Sequence, residues 1–300
     1  MFHAATALLR GGDVIKISLF HAMSADRAPD DHDQAGSAGL VECNAPALNT
    51  PLKRDLVAGL EKGLAVIEAF DQERPRLTIS EVAGRTGLTR AAARRYLLTL
   101  THLGFVTQDR KMFALTPRVL RLGQSYLHSA RLPRIVEPEL QKLAYTLKEA
   151  SVAGVLEGSD VVCISAASPT RMGSLAFQPG TRVPAYCTGT GRVLLADMAP
   201  AAVEGWIYRQ HLAALTPMTI TQPDRLREEI VRVRALGYAC IDQELEMGMR
   251  TVAVPLRNHR GEVVAALNIC VQASRMSMAQ LVEHCLPPLQ QTQAHLRMLL

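Results

Sequence analysis

Aromatic residues are scarce, at 4% of the 300 residues with a single tryptophan, and no apolar run approaches the ~20 residues that a membrane-spanning helix needs. The opening stretch MFHAATALLRGGDVIKISLFHAMSA scatters its apolar positions and lacks the continuous core of a secretory signal. No membrane partner is expected, and a cytoplasmic location is. The six cysteines (43, 163, 187, 240, 270, 285) never fall as C-x-x-C, and no histidine stands at finger spacing from them. That argues against a zinc site and against a disulfide framework. Cys163, Cys240 and Cys270 read instead as small core residues in strands. Catalytic signatures are missing too: there is no G-x-S-x-G and no H-E-x-x-H. GTGRVLL, from Gly189 to Leu195, lacks the third glycine and the Lys-Ser/Thr of a phosphate loop. Cys187 has only distant histidines. Glu244 and Glu246, two apart, point together only on a strand. No enzyme, cofactor or metal is expected.

What the chain has is a core and an uneven charge. At 48% hydrophobic and 20% charged it is globular, and its length fits about two domains. The net charge is +5, but residues 53–134 hold 15 Lys/Arg against 7 Asp/Glu, a net of +8. Residues 135–300 balance 15 against 15, and residues 1–52 are acidic at −3. A basic block beside a neutral one implies a polyanion-binding domain joined to a domain with another task. Residues 1–52, with SADRAPDDHDQAGSAG, read as a disordered extension by composition. Met23 lies inside it as a second possible start.

Periodicity supplies the order of elements. LKRDLVAGLEKGLAVIEAF puts apolar residues at 56, 60, 64, 67 and 70, a helical spacing. Thr78 or Ser80 then caps a second helix that stops at Gly87, and Thr89 caps a third from Arg90 to about Leu103, stopped by Gly104. Phe105–Val106 and Met112–Leu115 form a short hairpin around a charged turn, Gln108 to Lys111. Helix, helix, turn, helix and hairpin is the order of a winged helix-turn-helix, placed at 53–116. A connecting helix at 117–133 leads to a third segment, 134–300, that alternates helix with strand. There Pro138–Glu149, Gly191–Met198, Arg225–Leu236 and Met278–Leu300 read as helices. SVAGVL, VVCISAA, GYACID, TVAVPL and VVAALNICV read as strands, the first two turned at Gly158-Ser159-Asp160.

The third helix carries the strongest functional signal. Ala93, Tyr96, Leu97, Leu100 and Leu103 share one face, while Arg90, Arg94 and Arg95 project elsewhere near its N-terminus. Guanidinium forks there suit guanine O6 and N7 in a major groove. Thr78, Ser80 and Thr89 sit at helix starts, where phosphate is favoured. Arg110 and Lys111 on the hairpin turn suit the backbone or minor groove. Taken alone, three arginines are an ordinary solvated face; the five-element order and the basic block turn the reading toward double-stranded DNA.

These stretches resemble a known family. LEKGLAVIEAF, RLTISEVAGRTGLTRAAARRYLLTLTHLGFV and FALTPRVLRLG look like the N-terminal domain of IclR-type transcriptional regulators. TRAAARRYLLTL is similar to the branch that regulates the β-ketoadipate pathway, the protocatechuate and 4-hydroxybenzoate (Pca/Pob) regulators. PGTRVPAYCTGTGRVLLA and LGYACIDQELEMGMRTVAVPLRNHRGEVVAALNICV agree, so the resemblance spans roughly 54–300. It implies an α+β protein: a winged helix-turn-helix, a linker helix, and a GAF-like effector domain with a mostly antiparallel sheet. It also implies a homodimer or dimer of dimers on a palindromic operator. Leu56, Leu60, Leu64 and the linker-helix apolar residues exceed what so small a domain needs, or else simply form its core.

Carried over by motif, the effector lies against the sheet, touching Gly189 and Thr190 in TGTGR, Met249 and Thr251 in GMRT, and Asn268 and Cys270 in ALNIC. Asp242 is a weaker candidate. Free N–H groups at a helix start suit a carboxylate, and an amide in an apolar strand needs a partner. The plainer readings are a glycine turn and a core thiol. Arg171, Arg182, Arg192 and Arg250 are candidate anchors for an acid. The resemblance alone implies the ligand, a small aromatic acid or β-ketoadipate, and activation of a catabolic operon with RNA polymerase as partner. A repressor of another carbon-source operon, an architectural protein with an inert sensor domain, and an enzyme in the C-terminal half are the alternatives.

Overall fold

The computed structural model describes residues 53–71, 73–169 and 178–300. The 1–52 segment and Arg171 therefore lie outside the described residues. After a short turn at Lys53–Asp55, three helices follow: α1 (Ala58–Glu68), α2 (Ile79–Thr86) and α3 (Arg90–His102). Thr78, rather than Ser80, caps α2. Its hydroxyl accepts from the Glu81 N–H at 3.4 Å while Glu81 Oε2 accepts from the Thr78 N–H at 2.7 Å, so two orphan donors are satisfied reciprocally. Gly87, at φ +67°, ends the helix in a left-handed conformation. Thr89 caps α3 by accepting from the Ala92 N–H at 3.2 Å.

The hairpin is β2 (Val106–Asp109) with β3 (Met112–Leu115). A strand absent from the sequence reading, β1 (Arg76–Leu77), pairs with β3 to give the order β1-β3-β2. Val66, Leu77, Val82, Leu97, Leu100, Val106 and Phe113 form the core beneath. The expected apolar face of this segment is split: Ile67 and Phe70 pack against this core, and its leucines do not. Val66 and Ala69 are buried, whereas Leu60 is 64% and Leu64 46% exposed, and Leu56 is exposed as well. Leu103 on α3 is also exposed.

The connecting helix is α4 (Leu120–Ser129), which buries no residue and exposes Leu120, Leu122 and Tyr126. Ala130 turns to ψ 127° and breaks it, and α5 (Arg131–Leu147) begins at once, earlier than Pro138. Pro133 falls in the first turn of α5, where its missing N–H leaves no bond unmade.

A six-stranded antiparallel sheet follows in the order β6-β5-β4-β9-β8-β7. Its strands are β4 (Ala150–Glu157), β5 (Asp160–Ala167), β6 (Arg182–Pro184), β7 (Ala239–Asp242), β8 (Met249–Arg257) and β9 (Val263–Gln272). The helices are α6 (Gly189–Asp197), α7 (Pro200–Tyr208), α8 (Pro223–Leu236) and α9 (Met278–Leu299). Neither β6 nor α7 was legible in the sequence. Trp206 on α7 donates through Nε1 to the Gly158 carbonyl at 2.8 Å, tying the helix to the β4–β5 turn.

Period-2 alternation splits the sheet into unlike faces. Val252, Val254 and Leu256 of β8, with Leu267, Ile269 and Val271 of β9, pack against α5 and α9. The intervening Ala253 and Ala266 are small and face α6 and α8. Gly154 of β4 belongs to the same close approach: a Cβ there would stand 2.6 Å from Val161 Cγ1 and 3.2 Å from Thr190 Cγ2. So α6 lies deep on the sheet. At Gly191 an added Cβ would sit 2.1 Å from the Ala185 carbonyl oxygen. Gly191→Ala is accordingly expected to cost about 3 kcal/mol or more in a denaturant titration. Gly84→Ala on exposed α2, where a Cβ meets nothing within 4 Å, should be neutral or stabilising by up to about 1 kcal/mol.

Candidate functional sites

On the DNA-binding side, Ala93, Leu97 and Leu100 bury one face of α3 and leave Arg90, Arg94 and Arg95 exposed. Arg110 and Lys111 occupy the tip of the β2–β3 turn, with Arg110 at φ +55°. Its carbonyl accepts from Gln108 Nε2 at 2.9 Å, which steadies that left-handed turn. Among the described residues none of these five cations enters an ion pair, so their charge is unspent. Arg85, by contrast, is held by Asp71. Thr78 and Thr89 spend their hydroxyls on capping, and Ser80 is exposed in the first turn of α2.

The second site is a cavity of about 40 Å³ between the sheet and the start of α6. Gly189, Thr190, Met249, Thr251, Asn268 and Cys270 all line it, so six of the seven residues expected at the effector site come together. Asp242 does not. Alternation along β7 puts Ile241 on the cavity wall and turns Asp242 the other way. There its carboxylate takes the Arg250 Nε at 2.8 Å, and that hydrogen bond holds its pKa below the usual carboxylate value. Three of the four candidate arginine anchors are engaged elsewhere. Arg250 also donates to the Ala273 and Met276 carbonyls, Arg182 is paired with Glu157 and Asp160 on the surface, and Arg192 is paired with Glu244. Among the described residues no cation lines the cavity.

The cavity has one polar end. Thr188 caps α6 by accepting from the Gly191 N–H at 3.1 Å. That leaves the N–H groups of Gly189 and Thr190 as the orphan donors of the first turn. Beside them, Thr251 Oγ1 and Asn268 Oδ1 are buried without a hydrogen-bond partner. Both lie against Gly189, at 3.1 and 3.4 Å from where its Cβ would be. Asn268 spends its Nδ2 on Cys270 Sγ at 3.0 Å. An orphaned buried polar group costs about 1–3 kcal/mol, so two side by side at a helix N-terminus mark a place built for a polar group from outside. The other walls, which composition alone did not reveal, are Val152, Val161, Val183, Ile241 and Leu245, with Cys163 and Cys187. Burial pushes the Cys163 thiol up to about 11 and Cys187 up to about 12. These are neutral wall groups rather than nucleophiles.

Comparison with known proteins identifies the family. Residues 124–296 match the model of the bacterial transcriptional regulator IclR C-terminal domain, and residues 59–110 match that of the IclR helix-turn-helix domain. The chain is 39% identical over 251 residues to the Pca regulon regulatory protein of Pseudomonas putida, covering 81% of this chain and 86% of that one. It is 39% identical over 248 residues to the p-hydroxybenzoate hydroxylase transcriptional activator of Acinetobacter baylyi, covering 81% and 92%. The inducer-binding domain of the Acinetobacter PobR transcription factor, a double mutant solved with 3-hydroxybenzoic acid, superposes with a TM-score of 0.55. It is 31% identical and covers 57% of this chain and all of that one. The chain belongs to the IclR family of transcriptional regulators. The relatives it matches are regulators, not enzymes.

Because the Thr251 hydroxyl is orphaned, Thr251→Val should leave the ligand-free protein as stable or up to about 1–2 kcal/mol more stable. Chemical denaturation measures this. A loss of more than that would mean the hydroxyl has an internal partner.

Proposed function

We propose that this chain is a homodimeric or tetrameric activator of an aromatic-acid catabolic operon, controlled by a small aromatic monocarboxylate. The orphaned polar end of the cavity carries the reading. The Gly189 and Thr190 N–H groups and the Thr251 hydroxyl receive the carboxylate, and a half-turn of the Asn268 side chain offers its amide N–H as well. The ring lies among the valines, Ile241, Leu245, Met249 and the thiols. β-Ketoadipate fits poorly, since its second carboxylate would meet apolar walls. The hydroxybenzoates associated with two relatives fit this class.

On the DNA side, Arg90, Arg94 and Arg95 enter the major groove of each half of a palindromic operator. Thr78, Ser80 and Thr89 flank phosphates, and Arg110 and Lys111 reach the backbone or minor groove. The exposed Leu60 and Leu64 of α1 and Leu120, Leu122 and Tyr126 of α4 give two copies an apolar surface to share. Occupancy of the cavity shifts the balance between dimer geometries, which alters the spacing of the two α3 helices and the contact with RNA polymerase.

Fluorescence anisotropy on DNA from upstream of the chain's own gene, at two salt concentrations, with and without 4-hydroxybenzoate and protocatechuate, tests the reading. Arg94→Ala should lose about 1–3 kcal/mol per half-site, roughly 5- to 150-fold, while still binding the acid. Asn268→Ala should keep operator affinity and lose the response. Unchanged operator affinity in Arg94→Ala would overturn the assignment of α3.

A further inference from the structure

Arg192 and Glu244 do not line the cavity, yet each adjoins a residue that does. Arg192 lies on α6, whose first residues Gly189 and Thr190 form the polar end, and Glu244 immediately precedes Leu245 on the opposite wall. The Arg192 side chain is 1% exposed. Its Nη2 donates to Glu244 Oε2 at 2.6 Å and its Nε to the Tyr186 carbonyl at 3.0 Å, with Glu229 of α8 3.7 Å away. The same Glu244 oxygen accepts from the Ile220 N–H at 3.2 Å.

The loop that carries Glu244 is Gln243–Gly248, between β7 and β8. Its ends are drawn together, the Gln243 N–H donating to the Met249 carbonyl at 2.9 Å and the Gly248 N–H to Gln243 Oε1 at 2.9 Å. Its backbone is also held from outside: Thr216 Oγ1 donates to the Gln243 carbonyl at 2.7 Å, Thr219 Oγ1 to the Glu244 carbonyl at 2.6 Å and the Ala273 N–H to the Gly248 carbonyl at 2.7 Å. Gln243 at φ +61° and Gly248 at φ +84° mark its two ends. Among these ties, the Glu244 side chain is the one that reaches α6. Behind it is a cleft of about 450 Å³ bordered by Arg192, Glu229, Cys240 and Glu244.

Two observations give this arrangement a purpose. Buried ion pairs are poor stabilisers, because apolar residues of the same volume hold a core as well or better. And the cavity, at about 40 Å³, is far below the ~150 Å³ of an apolar cavity known to take a benzene ring. Some wall must therefore move to admit an aromatic acid. The Ile241–Leu245–Met249 wall is the one backed by the cleft.

We propose that the Arg192–Glu244 pair is the latch of the effector cavity: it holds the Gln243–Gly248 loop against α6, and it parts when the loop swings toward the cleft to let an acid enter or leave. This rests on the reading of the cavity as the effector site. Both are positioning residues and touch no ligand.

The cavity's own thiols report the motion without any ligand. In the full-length protein, N-ethylmaleimide labelling of each cysteine is followed by peptide mass spectrometry. Cys163 and Cys187 line the cavity, and Cys285, on α9, lies in the separate core. Glu244→Gln keeps size and hydrogen bonding and removes the charge. It should label Cys187 and Cys163 at least tenfold faster than the unaltered chain, with Cys285 unchanged. Arg192→Lys, which keeps the charge but loses the fork, should act in the same direction to a smaller extent, and it decides the matter if Glu244→Gln does not fold. Stopped-flow mixing with 4-hydroxybenzoate should show association and dissociation both about fivefold faster or more. Cys163 decides, because the Glu244 charge raises the Cys187 thiol pKa and its removal alone would quicken Cys187: unchanged labelling at Cys163, or a parallel rise at Cys285 that signals general loosening, overturns the latch. If the unaltered chain binds no aromatic acid, the effector assignment falls, and the labelling still decides whether the pair controls the wall.

Discussion

The close seating of α6 on the sheet governs most of what this chain can do. It is a steric condition before it is a chemical one: Gly154, Ala253 and Ala266 beneath the helix, and Gly191 against the Ala185 carbonyl, let backbone approach backbone. That approach carries the uncapped N–H groups of Gly189 and Thr190 down to β8 and β9. It buries Thr251 Oγ1 and Asn268 Oδ1 with nothing to bond, and it holds the Arg192 side chain buried. A larger residue at these positions would lift the helix and dissolve the polar end of the cavity.

The DNA-binding half follows a different logic. Its core is small and its helices are fixed by local rules: a capping box at Thr78, a cap at Thr89, and left-handed glycines at 87 and 104. Rigid local stops present the arginines of α3 without pairing them. The exposed leucines of α1 and α4 leave this half with an apolar surface, the one the proposed dimer would cover.

Much of this was legible in the residues, because it depends on spacing. Family motifs named six residues that the fold brings to one cavity, with alternation along β9 grouping Asn268 and Cys270, and the caps placed α2 and α3. What failed depended on distance in space. Asp242, the weaker candidate in IDQE, is turned away from the cavity by one step along β7 from Ile241. The arginine anchors were indistinguishable, since the partner of Arg192 lies 52 residues away. The leucines of α1 have the same period whether they face a core or a partner. Helix α7 escaped because nine residues with three buried positions give too little periodicity, and the two-residue β1 has a partner, β3, that only the fold supplies.

The two faces of the sheet have a consequence for how such a regulator diversifies. The large residues that hold the domain together point toward α5 and α9, and the residues that line the cavity, such as Thr251 and Asn268, lie on the face toward α6. Substitutions on the second face can therefore resize or repolarise the binding space while the first face keeps the fold intact. A lineage built on this plan can change the compound it answers to in single steps, each drawing little on the stability of the whole.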